Sequence, residues 1–339
     1  MKIKVNGRFL AHRPTGVEEY ARAIIQRLAG ELEIAAPARP LQGPRGHLWE
    51  QSVLPSRLQG ALLWSPCNTG PLAVERQVLT IHDCAFADLP HCFSKAFAAW
   101  YNWLVPRLAR RVRKIITVSC FSKGRIVERC RVPPEKVEVV SNGVDPQFQP
   151  CEKERIAALR SRHGLPDRYV LCVASMDPRK NLRRLVEAWM RLPENCLQMP
   201  LVIAGAGRST FAEVNLPGSD RRLKVLGYVA GEDLPPLYAG ATLFAYVSLY
   251  EGFGLPVLEA MACGTPVICS GTTSLPEVAG DAAVLVDPSD DECIGRAILD
   301  LAQDDSKQQA LRAAGLQRAA TFTWDRAAAD TLRVFRAAE

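Results

Sequence analysis

The chain has 339 residues, 48% of them hydrophobic and 23% charged, and its 23 glycines and 24 prolines are too few for a collagen-like or low-complexity chain. No apolar run approaches the roughly 18 residues of a membrane-spanning helix, and the first residues lack the apolar stretch of a secretory signal, so we expect a cytoplasmic protein. Residues 1–150 hold 21 of the 42 Lys and Arg but only 12 of the 36 Asp and Glu, so their net charge is +9, whereas that of residues 151–339 is −3. This distribution favours an anionic partner for the first part: nucleic acid, a phospholipid surface or a phosphorylated substrate.

Strands and helices alternate through the first 150 residues. A short strand is predicted at 2–5 and a helix at 17–28, separated by a turn at 13–16, whereas the Pro-, Gly- and Arg-rich residues 35–47 are predicted to be irregular. The later elements of this part are a strand at 78–81, a helix at 93–113 that Pro106 begins again or kinks, a strand at 114–119, a helix from about 122 and a strand at 136–140.

The stretch 145–166 changes character and looks like a domain junction, after which the alternation restarts. Strands are predicted at 169–174, 200–204, 223–226, 242–246, 266–269 and 283–286, and helices at 181–191, 234–239, 255–262, 290–303, 305–320 and 325–338. Two such runs imply two doubly wound α/β domains with parallel sheets. Ligands of such sheets bind at the carboxyl ends of the strands, here expected to face a cleft between the domains.

The densest chemical signal is Tyr250-Glu251-Gly252-Phe253-Gly254-Leu255-Pro256-Val257-Leu258-Glu259-Ala260. Its two glycines let the backbone approach a ligand, and Pro256 suits the first turn of a helix whose N–H groups attract an anion. Glu251 and Glu259 suit the hydroxyl groups of a sugar on either side of a diphosphate. The alternative is a Gly-rich loop with a solvated pair of glutamates.

Cysteines and glycine turns carry little chemistry by themselves. The eleven cysteines show no C-x-x-C spacing, which favours buried free thiols over zinc or disulfide chemistry. The turn at 205–207 lacks the third glycine of a dinucleotide fingerprint, which argues against a nicotinamide cofactor.

The motif and its surroundings resemble the E-x7-E retaining family-4 glycosyltransferases, which have the GT-B fold. The blocks that carry the resemblance stand in family order across roughly residues 110–290: Ile116-Thr117-Val118-Ser119 with Phe121-Ser122-Lys123, Ser141-Asn142-Gly143-Val144, Asp177-Pro178-Arg179-Lys180-Asn181, Gly227-Tyr228-Val229 and Ala262-Cys263-Gly264-Thr265-Pro266-Val267. The first 110 residues match only at Thr15-Gly16 and His82-Asp83. The resemblance implies an acceptor-binding Rossmann-like domain at 1–160, a nucleotide-sugar-binding one at 161–322, and a terminal helix within 323–339 that packs back on the first.

The resemblance also implies the roles of individual residues. Glu251 would contact the donor sugar near the reacting carbon, and Lys180 with Arg179 would neutralise the diphosphate and stabilise the leaving group. His82 would orient the donor sugar, and Gly16 would let the first loop approach the diphosphate. The remaining donor contacts are a ribose contact from Glu259, base contacts from Tyr228 and Leu234, and backbone contacts from Phe253, Gly254 and Leu255.

Two features concern the charge at the diphosphate. Many family members place an arginine shortly before the lysine, but that place holds Ala174-Ser175 here, so we expect Arg179 to supply the missing charge. The chain contains no Asp-x-Asp triplet, so cationic side chains and helix ends are expected to replace a metal, and no cofactor is expected. No acid in these motifs is an obvious general base, which fits a front-face displacement in which the leaving phosphate oxygen accepts the proton of the acceptor.

Residues 93–114 interleave aromatic side chains with a basic cluster. That composition suits a helix lying on anionic lipid, and equally an amphipathic helix packed on the first sheet with a solvated basic end. No RNA-binding motif accompanies the basic residues, so nucleic acid is not an expected partner.

The sequence as a whole predicts a metal-independent hexosyltransferase that acts on a lipid-linked or oligosaccharide acceptor in surface polysaccharide (lipopolysaccharide) synthesis. The Pro178-Arg179-Lys180-Asn181 segment resembles bacterial mannosyltransferases, which makes GDP-mannose the leading donor ahead of UDP-sugars. The alternatives are a nucleotide-sugar 2-epimerase of the same fold, which would turn over the donor without acceptor, and a non-enzymatic basic scaffold for nucleic acid, whose binding would collapse with salt.

Overall fold

The computed structural model describes residues 2–11, 15–193, 196, 198–205 and 221–339, and the chain divides into two units. Unit 1 comprises Met1–Pro90, Lys95–Gly143 and Phe322–Glu339, and unit 2 comprises His91–Ser94 and Val144–Thr321. Of the predicted turns at 13–16 and 205–207, residues 13, 14, 206 and 207 lie outside the described ranges.

The division falls after residue 143 and not at the predicted 160. The predicted junction contains a helix, α6 (Lys153–His163), which packs against α8 (Leu234–Ala239) and therefore belongs to unit 2.

Over its described residues, unit 1 holds a six-stranded parallel sheet with the order β2-β1-β3-β4-β5-β6. Its strands are β1 (Ile3–Asn6), β2 (Leu32–Ala35), β3 (Leu62–Ser65), β4 (Gln77–Thr80), β5 (Lys114–Thr117) and β6 (Val137–Val139). The strands predicted near 2–5, 78–81, 114–119 and 136–140 are confirmed, whereas β2 and β3 had no prediction.

The helices of unit 1 are α1 (Gly16–Arg27), α2 (Gly43–Ser52), α3 (Ala85–Asp88), α4 (Lys95–Arg111), α5 (Cys120–Cys130) and α13 (Trp324–Ala337). The prediction of irregular structure up to residue 47 is wrong from Gly43 onward, because Gly43 with φ +56° and the following proline begin α2. The terminal helix α13 packs against α1, and the ring of Phe335 lies 5.4 Å from that of Trp64 in the unit's core.

The described part of unit 2 also holds six parallel strands, in the order β12-β11-β10-β7-β8-β9. The strands, all predicted, are β7 (Val170–Val173), β8 (Leu201–Ala204), β9 (Leu223–Gly227), β10 (Leu243–Tyr246), β11 (Val267–Ser270) and β12 (Ala283–Val286). Besides α6 and α8, its helices are α7 (Leu182–Arg191), α9 (Leu255–Ala262), α10 (Leu275–Ala279), α11 (Asp291–Gln303) and α12 (Asp305–Ala319).

The strand order fixes where a ligand of unit 2 is expected. The chain runs outward from β7 to β9, then returns to the middle and runs the other way from β10 to β12, so the direction reverses between β7 and β10. Loops that leave the carboxyl ends of such neighbouring strands diverge and open a crevice for a ligand.

Within the described ranges, no helix combines the length and apolarity needed to cross a bilayer.

Candidate functional site

Lys180 and Glu251 follow the two strands at which the sheet of unit 2 reverses direction. Lys180 ends a short 3-10 helix, Pro178–Lys180, after β7, and Glu251 lies in the loop after β10. The amide of Asn181, a residue with φ +57°, donates to the carbonyl oxygens of Val247 (3.0 Å) and Pro288 (2.8 Å). This side chain fastens the turn of Lys180 to the loop that carries Glu251.

The two predicted catalytic side chains of unit 2 are in direct contact. Lys180 Nζ donates to Glu251 Oε1 at 2.7 Å and to the hydroxyl of Tyr246 at 2.9 Å, and that hydroxyl donates to the same Oε1 at 2.9 Å. Burial, reinforced by the charge of Glu251, holds the pKa of Tyr246 well above its usual value, so its hydroxyl stays a donor. The sequence prediction missed Tyr246, whose place at the end of a buried strand looks like that of an ordinary core aromatic.

Arg179 is engaged by a neighbour that the sequence prediction did not consider. Its Nε and Nη2 donate to Asp177 Oδ2 at 2.9 and 2.6 Å, and its guanidinium carbon lies 4.9 Å from the centre of the Phe93 ring. Asp177 is buried, and it also accepts a hydrogen bond from the Arg179 backbone N–H at 2.9 Å. A carboxylate thus offsets the charge of Arg179, just as Glu251 offsets that of Lys180, and the role of either cation at a diphosphate stays a prediction.

The glycine loop before α9 has a conformation that only glycine satisfies. Gly254 has φ +114°, and a Cβ built on it would lie 2.5 Å from Leu275 Cδ2. Ser274 Oγ lies 2.9 Å from the carbonyl oxygen of Glu251 and 2.8 Å from that of Phe253, and these contacts hold the loop in place. Leu255 then begins α9. Pro256 has no N–H, and the N–H groups of Val257 and Leu258 donate to the carbonyl oxygen of Gly254 at 3.0 and 3.3 Å, so it is the dipole of this helix end that favours an anion.

The second glutamate of the motif also has a buried tyrosine partner. The hydroxyl of Tyr238 donates to Glu259 Oε2 at 2.8 Å, and burial holds the pKa of Tyr238 well above its ordinary value. Glu259 itself is half-buried on α9. Sequence reasoning found Glu259 and missed Tyr238.

The two predicted base contacts lie near the same carboxyl edge of the sheet. Tyr228 follows the end of β9, directly after Gly227 with φ +68°, and it is 77% exposed. Leu234 is half-buried and begins α8. A bare aromatic ring at this edge is suited to stacking on a base, and its role stays a prediction.

In unit 1, His82 follows β4 at the carboxyl edge of the sheet and is buried. Its Nε2 lies 2.9 Å from the carbonyl oxygen of Pro66, and its ring packs edge-on against Tyr20 at 4.9 Å. Burial lowers the pKa of His82, with a partial offset from the Pro66 carbonyl, so the ring is neutral at pH 7. The tautomer with its proton on Nε2 leaves Nδ1 as an acceptor.

The sheet of unit 1 reverses direction between β1 and β3, and polar residues mark that point as well. Gly16 is the first residue of α1, in the connection that leaves β1. Arg8 Nε donates to Glu50 Oε1 at 3.2 Å, and both side chains are buried. Burial alone would raise the pKa of Glu50, but Arg8 holds it below the ordinary value. This ion pair was not predicted.

Comparison with known proteins decides the family. Residues 167–304 match the family model described as glycosyl transferases group 1, and residues 61–148 match the model of glycosyltransferase family 4. The O-antigen chain mannosyltransferase B of Escherichia coli is 35% identical over 272 residues, which cover 78% of this chain and 71% of that protein. The chain belongs to the family-4 glycosyltransferases.

Two further comparisons place this glycosyltransferase among its relatives. The serotype-specific mannosyltransferase WbdA of Escherichia coli is 33% identical over 223 residues, which cover 63% of the chain but only 27% of that protein. The structure of HepE from Anabaena in complex with UDP and glucose matches with a TM-score of 0.77 at 19% identity, over 99% of this chain and 100% of that one. The predicted GT-B fold class is confirmed, and so is the prediction that the protein is a glycosyltransferase.

Proposed function

We propose that this glycosyltransferase transfers mannose from GDP-mannose to a lipid-linked or oligosaccharide acceptor in the synthesis of a surface polysaccharide. The contact between Lys180 and Glu251 carries the proposal, because it joins a cation for a diphosphate to a carboxylate for sugar hydroxyls. The printed names of the relatives, an O-antigen chain mannosyltransferase and a serotype-specific mannosyltransferase, support the choice of sugar and product.

The nucleotide is proposed to lie along the carboxyl edge of the sheet in unit 2. The N-terminus of α9 and the ammonium of Lys180 would share the diphosphate. Glu259, whose Oε2 is held by Tyr238, would use its carboxylate on the ribose hydroxyls, and Tyr228 would stack on the base.

The proposed reaction is a front-face displacement that retains the configuration of the transferred sugar. The bond from the anomeric carbon to the diphosphate oxygen breaks, and a bond to the acceptor oxygen forms on the same face. The acceptor proton passes to the departing phosphate oxygen, so no protein base is required. Lys180 stabilises the negative charge that grows on that oxygen, which is where fixed charges contribute most.

The neutralisation of the diphosphate is proposed to need no metal ion. The chain lacks an Asp-x-Asp triplet, and the lysine and helix terminus described above supply positive charge at the site. Transfer that persists in excess EDTA is the expected result.

A lipid-linked acceptor requires access to a membrane, and we assign that contact to an aromatic face of α4 formed by Trp100, Trp103 and Arg107. The rings of Trp100 and Trp103 stack at 5.3 Å, Trp103 is 44% exposed, and the Arg107 guanidinium carbon lies 4.9 Å from the centre of its ring. The opposite side of α4 is buried. Packing of one side of the helix in unit 1 is therefore compatible with the proposed contact of its other side with lipid. An exposed tryptophan beside a cation suits the interface of anionic lipid, and the proposed location is the inner face of the plasma membrane.

The proposal is tested by a thermal-shift panel of nucleotide sugars followed by a transfer assay with radiolabelled sugar. Stabilisation by GDP-mannose above UDP-sugars, followed by transfer only when acceptor is present, is the expected result. Turnover of the donor without acceptor would instead indicate the epimerase, and the absence of stabilisation by any nucleotide sugar would refute the proposed site.

A further inference from the structure

Tyr246 is the last residue of β10, next to the point where the sheet of unit 2 reverses direction. Its side chain is 1% exposed, and its ring stacks on that of Phe244 at a centroid distance of 5.7 Å. Two neighbouring strands, β7 and β11, flank β10 and hold its backbone in place. The hydroxyl of Tyr246 therefore occupies a position set by the rigid core of the sheet.

That hydroxyl closes a three-membered ring of hydrogen bonds. Lys180 Nζ donates to it and to Glu251 Oε1, and the hydroxyl itself donates to Glu251 Oε1, with all three distances between 2.7 and 2.9 Å. Both donors thus address the same carboxylate oxygen. The other oxygen, Oε2, accepts no hydrogen bond from the described residues. The three hydrogen bonds therefore leave Oε2, and not Oε1, available to a ligand.

Without the hydroxyl, Lys180 and Glu251 could pair in more than one geometry. The ammonium and the carboxylate would still attract each other, but a lysine at the end of a flexible stem can pair with either oxygen of a carboxylate. Glu251 could then rotate, and Lys180 could follow it. The tyrosine, fixed by the strand, removes this freedom through a hydrogen bond to a charged acceptor.

We propose that Tyr246 is a positioning residue for glycosyl transfer, which orients Glu251 Oε2 toward a donor-sugar hydroxyl and holds the Lys180 ammonium at the departing phosphate oxygen. This inference rests on the proposed function of Lys180 and Glu251. It assigns to a buried strand residue a task that neither the E-x7-E motif nor the lysine motif contains. Misplacing both charged groups should slow the chemical step more than it weakens donor binding.

The test replaces Tyr246 by phenylalanine, which removes only the hydroxyl. We expect kcat to fall about tenfold, equivalent to about 1.4 kcal/mol, while KM for the donor changes less than about threefold. The matched control is Tyr169→Phe, because the Tyr169 hydroxyl is also buried in unit 2 but donates to the carbonyl oxygen of Leu237 at 2.7 Å. The control should share any loss in melting temperature and keep kcat within about twofold of the wild type.

A double-mutant cycle separates positioning from general damage. If Tyr246 acts through Glu251, Tyr246→Phe should cost little further activity once Glu251→Gln is present, whereas independent losses would multiply. Multiplying losses, an unchanged kcat in Tyr246→Phe, or an equal kcat loss in the Tyr169 control would each overturn the inference. Full activity of Glu251→Gln would overturn the proposed function as well, whereas loss of transfer in Glu251→Gln with normal Tyr246→Phe would overturn only the role of the tyrosine.

Discussion

Replacing Lys180 by alanine should weaken the binding of GDP by about 10- to 100-fold. The ammonium has three donors, and two of them are used by Glu251 and by the hydroxyl of Tyr246, which leaves one for a phosphate oxygen. A hydrogen bond between charged groups contributes about 1.5–3 kcal/mol net, and every 1.4 kcal/mol is a factor of ten in affinity.

The carboxylate of Glu251, which stays in the site, affects how large the loss of GDP affinity is. In Lys180→Ala, Glu251 would lose its cation and face the diphosphate with an uncompensated negative charge. Like charges repel, so the loss should lie toward the upper end of the range at low ionic strength and shrink as salt screens the pair.

The affinity is best measured by isothermal titration calorimetry with GDP. The matched control is Lys307→Ala, which removes the same charge from an exposed site on α12 in the same unit. The control should bind GDP like the wild type. An affinity of Lys180→Ala within twofold of the wild type, or an equal loss in the control, would refute the assignment of Lys180 to the diphosphate.

Three further results are expected. Glu251→Ala should lower transfer at least about 100-fold with an unchanged circular dichroism spectrum, and wild-type turnover would remove this residue from the site. Because burial lowers the pKa of His82, the unfolded chain takes up the proton first, so wild-type stability should fall as the pH drops below 6.5. In urea unfolding, the free energy of unfolding of the wild type should fall with decreasing pH more steeply than that of His82→Asn, by up to about 1.4 kcal/mol per pH unit. Equal pH dependence in the two proteins would contradict this prediction. Trp103→Ala should weaken binding to vesicles containing anionic lipid at least about threefold, because it removes the exposed aromatic contact; equal binding of both proteins to these vesicles would exclude Trp103 from the contact.

The sequence predicts unit 2 more completely than unit 1, for physical reasons. Except for β9, which contains Lys224, the strands of unit 2 are apolar runs bounded by turn residues, and each of the six was found. In unit 1, the edge strand β2 is largely uncovered and lacks an apolar signature, and α2 has little helical periodicity because Gly43, Pro44 and Gly46 occupy its first turn. The helix at Lys153–His163 was missed because a single buried residue, Leu159, marks its inner face.

The site divides along a similar line. A dense local motif, with the family resemblance it carries, was enough to select Glu251, Glu259 and Lys180. The partners that hold them are invisible locally, because a tyrosine at the end of a buried strand looks like core and its hydroxyl meets a lysine 66 residues away in the chain. The pairing of Arg179 with Asp177 is local, yet only the backbone turn at 178–180 reveals that the two side chains face each other.

The most direct test of the donor site is a crystal structure of the protein with GDP. The β-phosphate should lie within hydrogen-bond distance of Lys180 Nζ, at the N-terminus of α9, with the ribose hydroxyls against Glu259. Density for the nucleotide that is well defined but remote from residue 180 and from residues 251–259 would contradict the proposed site.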